Sequence, residues 1–336
     1  MLRREFGIGM LAAPFLVRAA SAQTSRITVA KEYGLPYLPL LVMEQEKLIE
    51  KHAAGQGVPS LSVNWQTFGG PAALMDGMLS GTIDFSGPGV PALATAWDKT
   101  AGTVQEIRAL CALQSMPYVL VTRNPAVRTI ADFTDQDRIA LPTVKLVGHA
   151  LALEMAAARL WGFEHYDKLD PLTVSLAHPE AMRALLSGKS EINSHFASAP
   201  FYYYELKTPG IHKVMKSYDN LDGAKHTNGL MLTTKKFHDA NPPLCAAMLA
   251  ALQEANAYVK ANPRDCAERY LAVTGDKQSP LDEVVSMVTD PDVDYTTVPA
   301  NTMVLVDFMH RVGRIKKRPE SWKDMFFPEA FELPGS

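Results

Sequence analysis

The sequence predicts an α/β protein of two similar lobes joined by two crossover strands and completed by a helical C-terminal tail. Three observations predict it. Strand and helix signals alternate between Arg26 and Gly89, the same alternation restarts at Arg138, and two long extended runs lie between and after these blocks.

In order along the chain, Arg26–Ala30 reads as a strand and Tyr33–Tyr37 as a turn. Residues 38–54 read as one helix with Leu41 and Ile49 on its apolar stripe. Leu61, Val63 and Trp65 alternate with polar residues as a strand does. Gly69-Gly70-Pro71 suits a helix start, because proline is tolerated in a first turn, and that helix stops at Ser80-Gly81. A short strand at Ile83–Phe85 runs into Ser86-Gly87-Pro88-Gly89.

The second block repeats this grammar. Arg138–Pro142 is a strand, 148–160 a helix, Leu172–Leu176 a strand, and His178-Pro179 opens a helix ending at Ser187-Gly188. A shift of 107 positions lays Met75, Leu79-Ser80-Gly81 and Asp84 onto Met182, Leu186-Ser187-Gly188 and Glu191. The runs Ala112–Thr122 and Thr227–Thr233 are read as the two strands that join the lobes. Asn241-Pro242 and Asn262-Pro263 each pair a cap with a first-turn proline, so the tail is helical. The resulting division is a leader at 1–22, lobe 1 at 23–115 and 230–336, and lobe 2 at 116–229.

The leader has three parts: basic Arg3-Arg4, an uncharged run from Phe6 to Val17, and small residues at Ala20-Ser21-Ala22. This pattern predicts export with cleavage after Ala22. Arg3-Arg4 followed by Phe6 partly matches a twin-arginine signal, without the leading Ser and trailing Lys. Cleavage removes three arginines and one glutamate, taking the net charge from −3 to −5. That balance offers no footprint for nucleic acid.

Several catalytic patterns fail on inspection. Ser187-Gly188-Lys189-Ser190 ends like a phosphate loop, but Arg183 stands where the first glycine belongs. Gly87-Pro88-Gly89 follows the third strand of its block, whereas a dinucleotide fingerprint follows the first. The nine histidines show no metal-ligand spacing, and no cofactor is expected. Cys111 reads as core. Cys245 and Cys266 leave two readings open, pairing in an oxidising compartment or unpaired burial, with the latter expected.

What remains is a cleft. Open parallel sheets bind ligands beyond the carboxyl ends of their strands, where loops enter helix N-termini. Those loops are Tyr33–Tyr37, Phe68–Pro71 and Ser86–Gly89 in the first block, with Thr143–His149 and Asn193–Pro200 in the second.

The residues Phe68–Leu74, Gly77–Phe85 and Pro91-Ala92-Leu93 resemble the periplasmic solute-binding proteins for nitrate, sulfonate and taurine. Ile130–Phe133 before Arg138-Ile139-Ala140, Ala181–Gly188 with Pro200, and Ser321–Phe327 resemble the same family. The resemblance covers essentially all the mature chain. One departure is Gly188-Lys189-Ser190-Glu191-Ile192, where many members have Gly-x-x-Asp-Ala. The resemblance implies a type II periplasmic-binding fold, a hinged clamp that closes on a small molecule, and delivery to an ATP-binding-cassette permease. The chain is expected to act as a monomer without enzymatic activity.

Candidate ligand contacts are Tyr37, Gly69, Gly70 and Gly87 from lobe 1, Thr143, His149 and His195 from lobe 2, and Gln114, Thr227 and Asn228 near the hinge. His149 lies in a helix first turn, where the dipole disfavours its cation, so it is expected as a neutral partner. Phe196 is expected in the core, and Tyr202-Tyr203-Tyr204 on a partly exposed helix face. The ligand is expected to be a small organic anion, such as a sulfonate or carboxylate, or nitrate. The alternatives are a pyrimidine or aromatic-compound binder, or an enzyme of this fold acting on a pyrimidine precursor. Enzymes of that kind resemble this chain in fold but use a cysteine-rich motif that three isolated cysteines do not supply.

Overall fold

The structure is a computed structural model and describes residues 25–277 and 279–336. The expected leader at 1–22 lies outside the described residues.

Among the described residues, ten strands form two five-stranded sheets. The first holds β1 (Arg26–Lys31), β2 (Ser62–Thr67), β3 (Phe85–Ser86), β4 (Ile107–Ser115) and β10 (Thr227–Thr234), in the order β2-β1-β3-β10-β4. The second holds β5 (Val119–Thr122), β6 (Ile139–Leu141), β7 (Thr173–Ser175), β8 (Ser194–Ala197) and β9 (His212–Lys216), in the order β7-β6-β8-β5-β9. The two orders are equivalent. Each sheet has a parallel trio built by strand–helix–strand units, then an antiparallel strand that follows a crossover, then an edge strand. The repeat read from the sequence is therefore a repeat of topology.

The helices are α1 (Leu38–Gln45), α2 (Leu48–Gly55), α3 (Pro71–Ser80), α4 (Val90–Thr100), α5 (Gly148–Trp161), α6 (His178–Ser187), α7 (Phe201–Leu206), α8 (Lys235–Ala240), α9 (Pro242–Ala261), α10 (Pro263–Thr274), α11 (Leu281–Val288) and α12 (Thr302–Arg311). The single helix expected over 38–54 is two, because Lys47 is left-handed at φ 51° and starts a new turn. α3 and α6 both stop at the expected glycine, Gly81 and Gly188, each left-handed. The extended run 112–122 is not one strand. Met116-Pro117-Tyr118 separates β4 from β5, and the two belong to different sheets. That break is one crossover between the lobes, and the segment leading into β10 is the other.

A third segment joins the two crossovers. After α11 the chain runs beside both crossovers: Ser115 and Asp294 exchange backbone hydrogen bonds of 2.9 and 2.8 Å, and Ala112 N–H donates to Thr297 O at 3.0 Å. Thr227 N–H donates to Ala300 O at 2.9 Å. The largest apolar cluster packs α9 against α1 and α2 and continues through Ala197, Ala199 and Phe201 of the second lobe. Among the described residues, no helix is long and apolar enough to cross a membrane. Cys111, Cys245 and Cys266 are all free and buried, which settles the open pairing in favour of unpaired burial.

Candidate ligand-binding site

The lobes meet face to face at the carboxyl ends of their parallel strands. Leu35 N–H donates to Ala199 O at 3.0 Å across the gap. Gly70 makes the tightest approach: a Cβ there would lie 2.4 Å from Thr143 Oγ1 and 3.0 Å from Pro142 O. Its φ of 177° is ordinary extended backbone, so only the lack of a side chain matters. Gly69 faces Ala177 in the same way.

Between the lobes lies a small inner cavity of about 30 Å³, lined by Glu32, Tyr37, Tyr118, His149, His178, Ser198 and Asn228 together with four helix starts. Those starts are Pro71 of α3, Gly89 before α4, Val147-Gly148 of α5 and His178 of α6. Each contributes partial positive charge from unsatisfied N–H groups, about 0.3–1 kcal/mol for an exposed anion and up to ~2 when partly buried. Prolines at N1 or N2 remove a donor from α3, α4 and α6, whereas the first turn of α5 has none. Among the described residues, no arginine or lysine lines this cavity.

The inner cavity adjoins a larger groove of about 750 Å³, which shares Glu32, Tyr33 and Tyr37 with it. Its walls are largely apolar: Leu38 and Leu41 from α1, Met182 and Leu186 from α6, Phe201 and Tyr204 from α7, and Tyr270 and Val273 from α10. That volume lies within the range of small-molecule sites.

Local chemistry holds the inner residues in place. Tyr37 donates its hydroxyl proton to Gly87 O at 2.9 Å, and its nearby hydroxyl favours the ionised form of Glu32. Burial outweighs that contact and raises the Glu32 carboxyl to about 8. Tyr118 passes over the start of α5, where a Cβ on Gly148 would lie 2.2 Å from its hydroxyl oxygen. Its ring centroid is 3.9 Å from that of His149. His149 Nε2 meets Ser198 Oγ at 3.0 Å, while its buried Nδ1 has no partner among the described residues. Burial, with His178, His195 and His226 nearby, holds His149 well below the usual imidazole range, in accord with the neutral partner expected.

Of the expected contacts, Tyr37, His149 and Asn228 line the inner cavity. Gly70 and Thr143 form the contact between lobes, and Gly87 supports Tyr37 from behind. Three expected contacts lie away from the inner cavity. His195 is fully buried behind the cavity and meets it only through His178. Thr227 accepts the Ala300 N–H at 2.8 Å and so anchors the tail segment. Gln114 is fully buried against Gly229, outside the cavity, with both side-chain polar atoms unpartnered among the described residues. Phe196 is in the core as expected, and Tyr202 is buried, more so than its neighbours Tyr203 and Tyr204. Sequence reasoning missed Glu32, Tyr118, His178, Ser198 and Glu205. His178 carried a usable signal, since it opens a helix at the carboxyl edge of a strand.

No protein-family model matches the sequence, and no curated protein matches it. Solved structures do. The alkanesulfonate-binding protein SsuA of Xanthomonas axonopodis pv. citri, bound to MOPS, superposes with TM-score 0.67 at 18% identity over 89% of this chain and 96% of that one. The fold is that of the periplasmic binding proteins. The periplasmic aliphatic sulphonate-binding protein SsuA of Escherichia coli gives 0.66 at 16% identity over 94% and 95%. The periplasmic nitrate-binding protein NrtA of Synechocystis PCC 6803 gives 0.64 at 14% over 90% and 84%. The periplasmic-binding fold expected from the sequence is thus the fold observed. Among the described residues no group of side chains is arranged to hold a metal ion.

Proposed function

We propose that this chain is an exported solute-binding protein that captures a small organic anion between its lobes and delivers it to an ATP-binding-cassette permease. Lobe 1 comprises 23–115 and 230–336, lobe 2 comprises 116–229, and the leader at 1–22 directs the chain to the periplasm. The observation that carries this reading is the convergence of four helix N-termini, from both lobes, on one cavity without a cationic side chain. Neutral donors and backbone dipoles suit a small oxyanion, and contacts from both lobes favour the closed state by as much as the ligand binds it better. The adjoining apolar groove of about 750 Å³ favours an organic body over a bare inorganic ion. It also supports a second reading, an aromatic or pyrimidine compound, because Phe201, Tyr204 and Tyr270 line it. The same fold in sulfonate- and nitrate-binding proteins supports a binding role over an enzymatic one.

A thermal-shift panel of methanesulfonate, taurine, benzoate, nitrate and a hydroxymethylpyrimidine tests the reading. An organic anion at 100 times its Kd is expected to stabilise the protein by about 2.7 kcal/mol. A panel member that is chemically converted instead of bound would overturn it. Fractionation of the tagged chain is expected to place it in the periplasm as a monomer cleaved after Ala22.

A further inference from the structure

Behind the inner cavity, three buried side chains form an unbranched hydrogen-bonded chain. Glu205 Oε1 on α7 meets His195 Nδ1 on β8 at 2.5 Å. His195 Nε2 meets His178 Nδ1 on α6 at 2.8 Å. Glu205 and His195 are fully buried, and His178, 6% exposed, ends the chain at the cavity wall with Nε2 as its remaining nitrogen. We propose that Glu205 acts as a neutral carboxylic acid whose proton, through His195, fixes His178 with Nε2–H facing the ligand, so that the ligand group opposite is a hydrogen-bond acceptor. This deepens the reading of the cleft as a ligand site and rests on it; Glu205 and His195 are positioning residues, and His178 the contact.

Burial disfavours the cation of either ring, and with both rings neutral proton counting leaves two consistent arrangements of this chain. If Glu205 is ionised, His195 donates from Nδ1, its Nε2 accepts from His178 Nδ1–H, and His178 shows the cavity a bare lone pair. If Glu205 is protonated, every bond reverses: the acid donates to His195 Nδ1, His195 Nε2–H donates to His178 Nδ1, and His178 Nε2 carries the proton. The surroundings select the second. Glu205 has no cation beside it, and its Oε2 has no partner among the described residues, so an anion there lacks compensation. Burial accordingly holds its carboxyl well above the usual range, and holds His195 down at about 3. The groups facing the relay from neighbouring elements are uncharged: His149 on α5, 5.1 Å from His178 between ring centroids, and Phe201, stacked on His178 at 5.1 Å. On α6 itself, Glu180 and Arg183 pair with each other on the exposed side, and Lys207 beyond α7 pairs with Glu283.

The selected arrangement matches the cavity. The proline-free first turn of α5 already brings backbone N–H donors to this wall, so a donor from His178 adds to an acceptor-binding set.

Long-range proton–nitrogen spectra of the histidine-labelled full chain test the tautomers directly, without ligand. Both His178 and His195 are expected to carry Nε2–H in the unaltered protein and in Glu205→Gln, whose amide N–H replaces the acid as donor to His195. A proton on Nδ1 of either ring in the unaltered protein overturns the proposal. Titration with methanesulfonate and benzoate is the second measurement. Glu205→Gln is expected to keep the affinity for whichever probe binds, whereas Glu205→Leu, which folds around a similar volume but donates nothing, loses about tenfold. Equal loss in both variants overturns the role of the donated proton in binding. If neither probe nor any other member of the panel binds, the solute-binding reading fails, while the tautomer result still decides the relay.

Discussion

Glycine 70 and glutamate 32 show how much of this site turns on single atoms. A side chain at Gly70 would lie within 3.0 Å of Thr143 Oγ1 and Pro142 O, so Gly70→Val wedges the lobes apart while leaving α3 intact. Its expected result is an increase in radius of gyration by small-angle scattering and at least about tenfold weaker ligand binding, with little change in melting temperature. Glu32 acts through its proton. Its carboxyl titrates near 8 in the folded chain and near 4.5 when unfolded, so over that interval the unfolded state releases a proton that the folded state retains. Stability contributed by this group is therefore complete below about 4.5 and falls as pH rises toward 8. Calorimetry of Glu32→Gln is expected to show a smaller fall in melting temperature across that window than the unaltered protein. Glu32 was not legible as a site residue, because a lone glutamate after a strand has no distinguishing neighbour in sequence. Its position against Tyr37 exists only once β1 and the following turn are folded.

Secondary-structure elements were read more completely than side-chain roles, and the reasons are specific. α3 and α6 were placed to within a residue because proline near the start and glycine at the end mark both boundaries. The break at Lys47 was missed because a lysine carries no signal for a left-handed conformation. Most consequential is the tail segment between α11 and α12, where the sequence reading expected only a helical tail, and which instead lines both crossovers through Ser115, Ala112 and Thr227. Its continuation ties the tail to the second lobe, where Arg314 Nη1 meets Glu154 Oε2 of α5 at 2.6 Å and Glu154 is 1% exposed. Burial raises Glu154 to about 7 although Arg314 opposes the shift. Removing the partner in Arg314→Ala leaves that carboxyl buried alone, for an expected loss of about 3 kcal/mol. The loss is expected to be larger at pH 8 than at pH 5, where the acid is neutral, as denaturant titrations at the two values would show.

Across the whole molecule, a band of polar contacts joins the α11 region to the second lobe. Lys207 pairs with Glu283, Tyr203 donates to Asp290 Oδ2 at 2.5 Å, and Lys216 meets Asp292 Oδ2 at 2.7 Å. These are partly solvent-exposed bonds, each worth about 0–1 kcal/mol, weak enough for the opening and closing that the proposed function requires. Combining Glu283→Gln, Asp290→Asn and Asp292→Asn is expected to shift the scattering profile toward a more open form and weaken ligand binding by about 1 kcal/mol. An unchanged profile and affinity would show that closure does not depend on this band. The near-balanced charge of the chain agrees with such a design, since the inner cavity relies on dipoles and neutral donors and not on fixed cations.

The order of strands and helices, the doubled topology and the strand edge that carries the site all follow from local rules: hydrophobic period, capping residues, and the proline and glycine that bound each helix. Neighbours in sequence suffice for those rules, and so a single chain displayed them. The joining of Glu205, His195 and His178, the proton held by Glu32, the anchoring of Thr227 to the tail and the burial of Gln114 obey no local rule. They arise where segments tens of residues apart exclude water around a polar group, and the cost of leaving such a group unpaired is set by partners that come together only in the folded molecule.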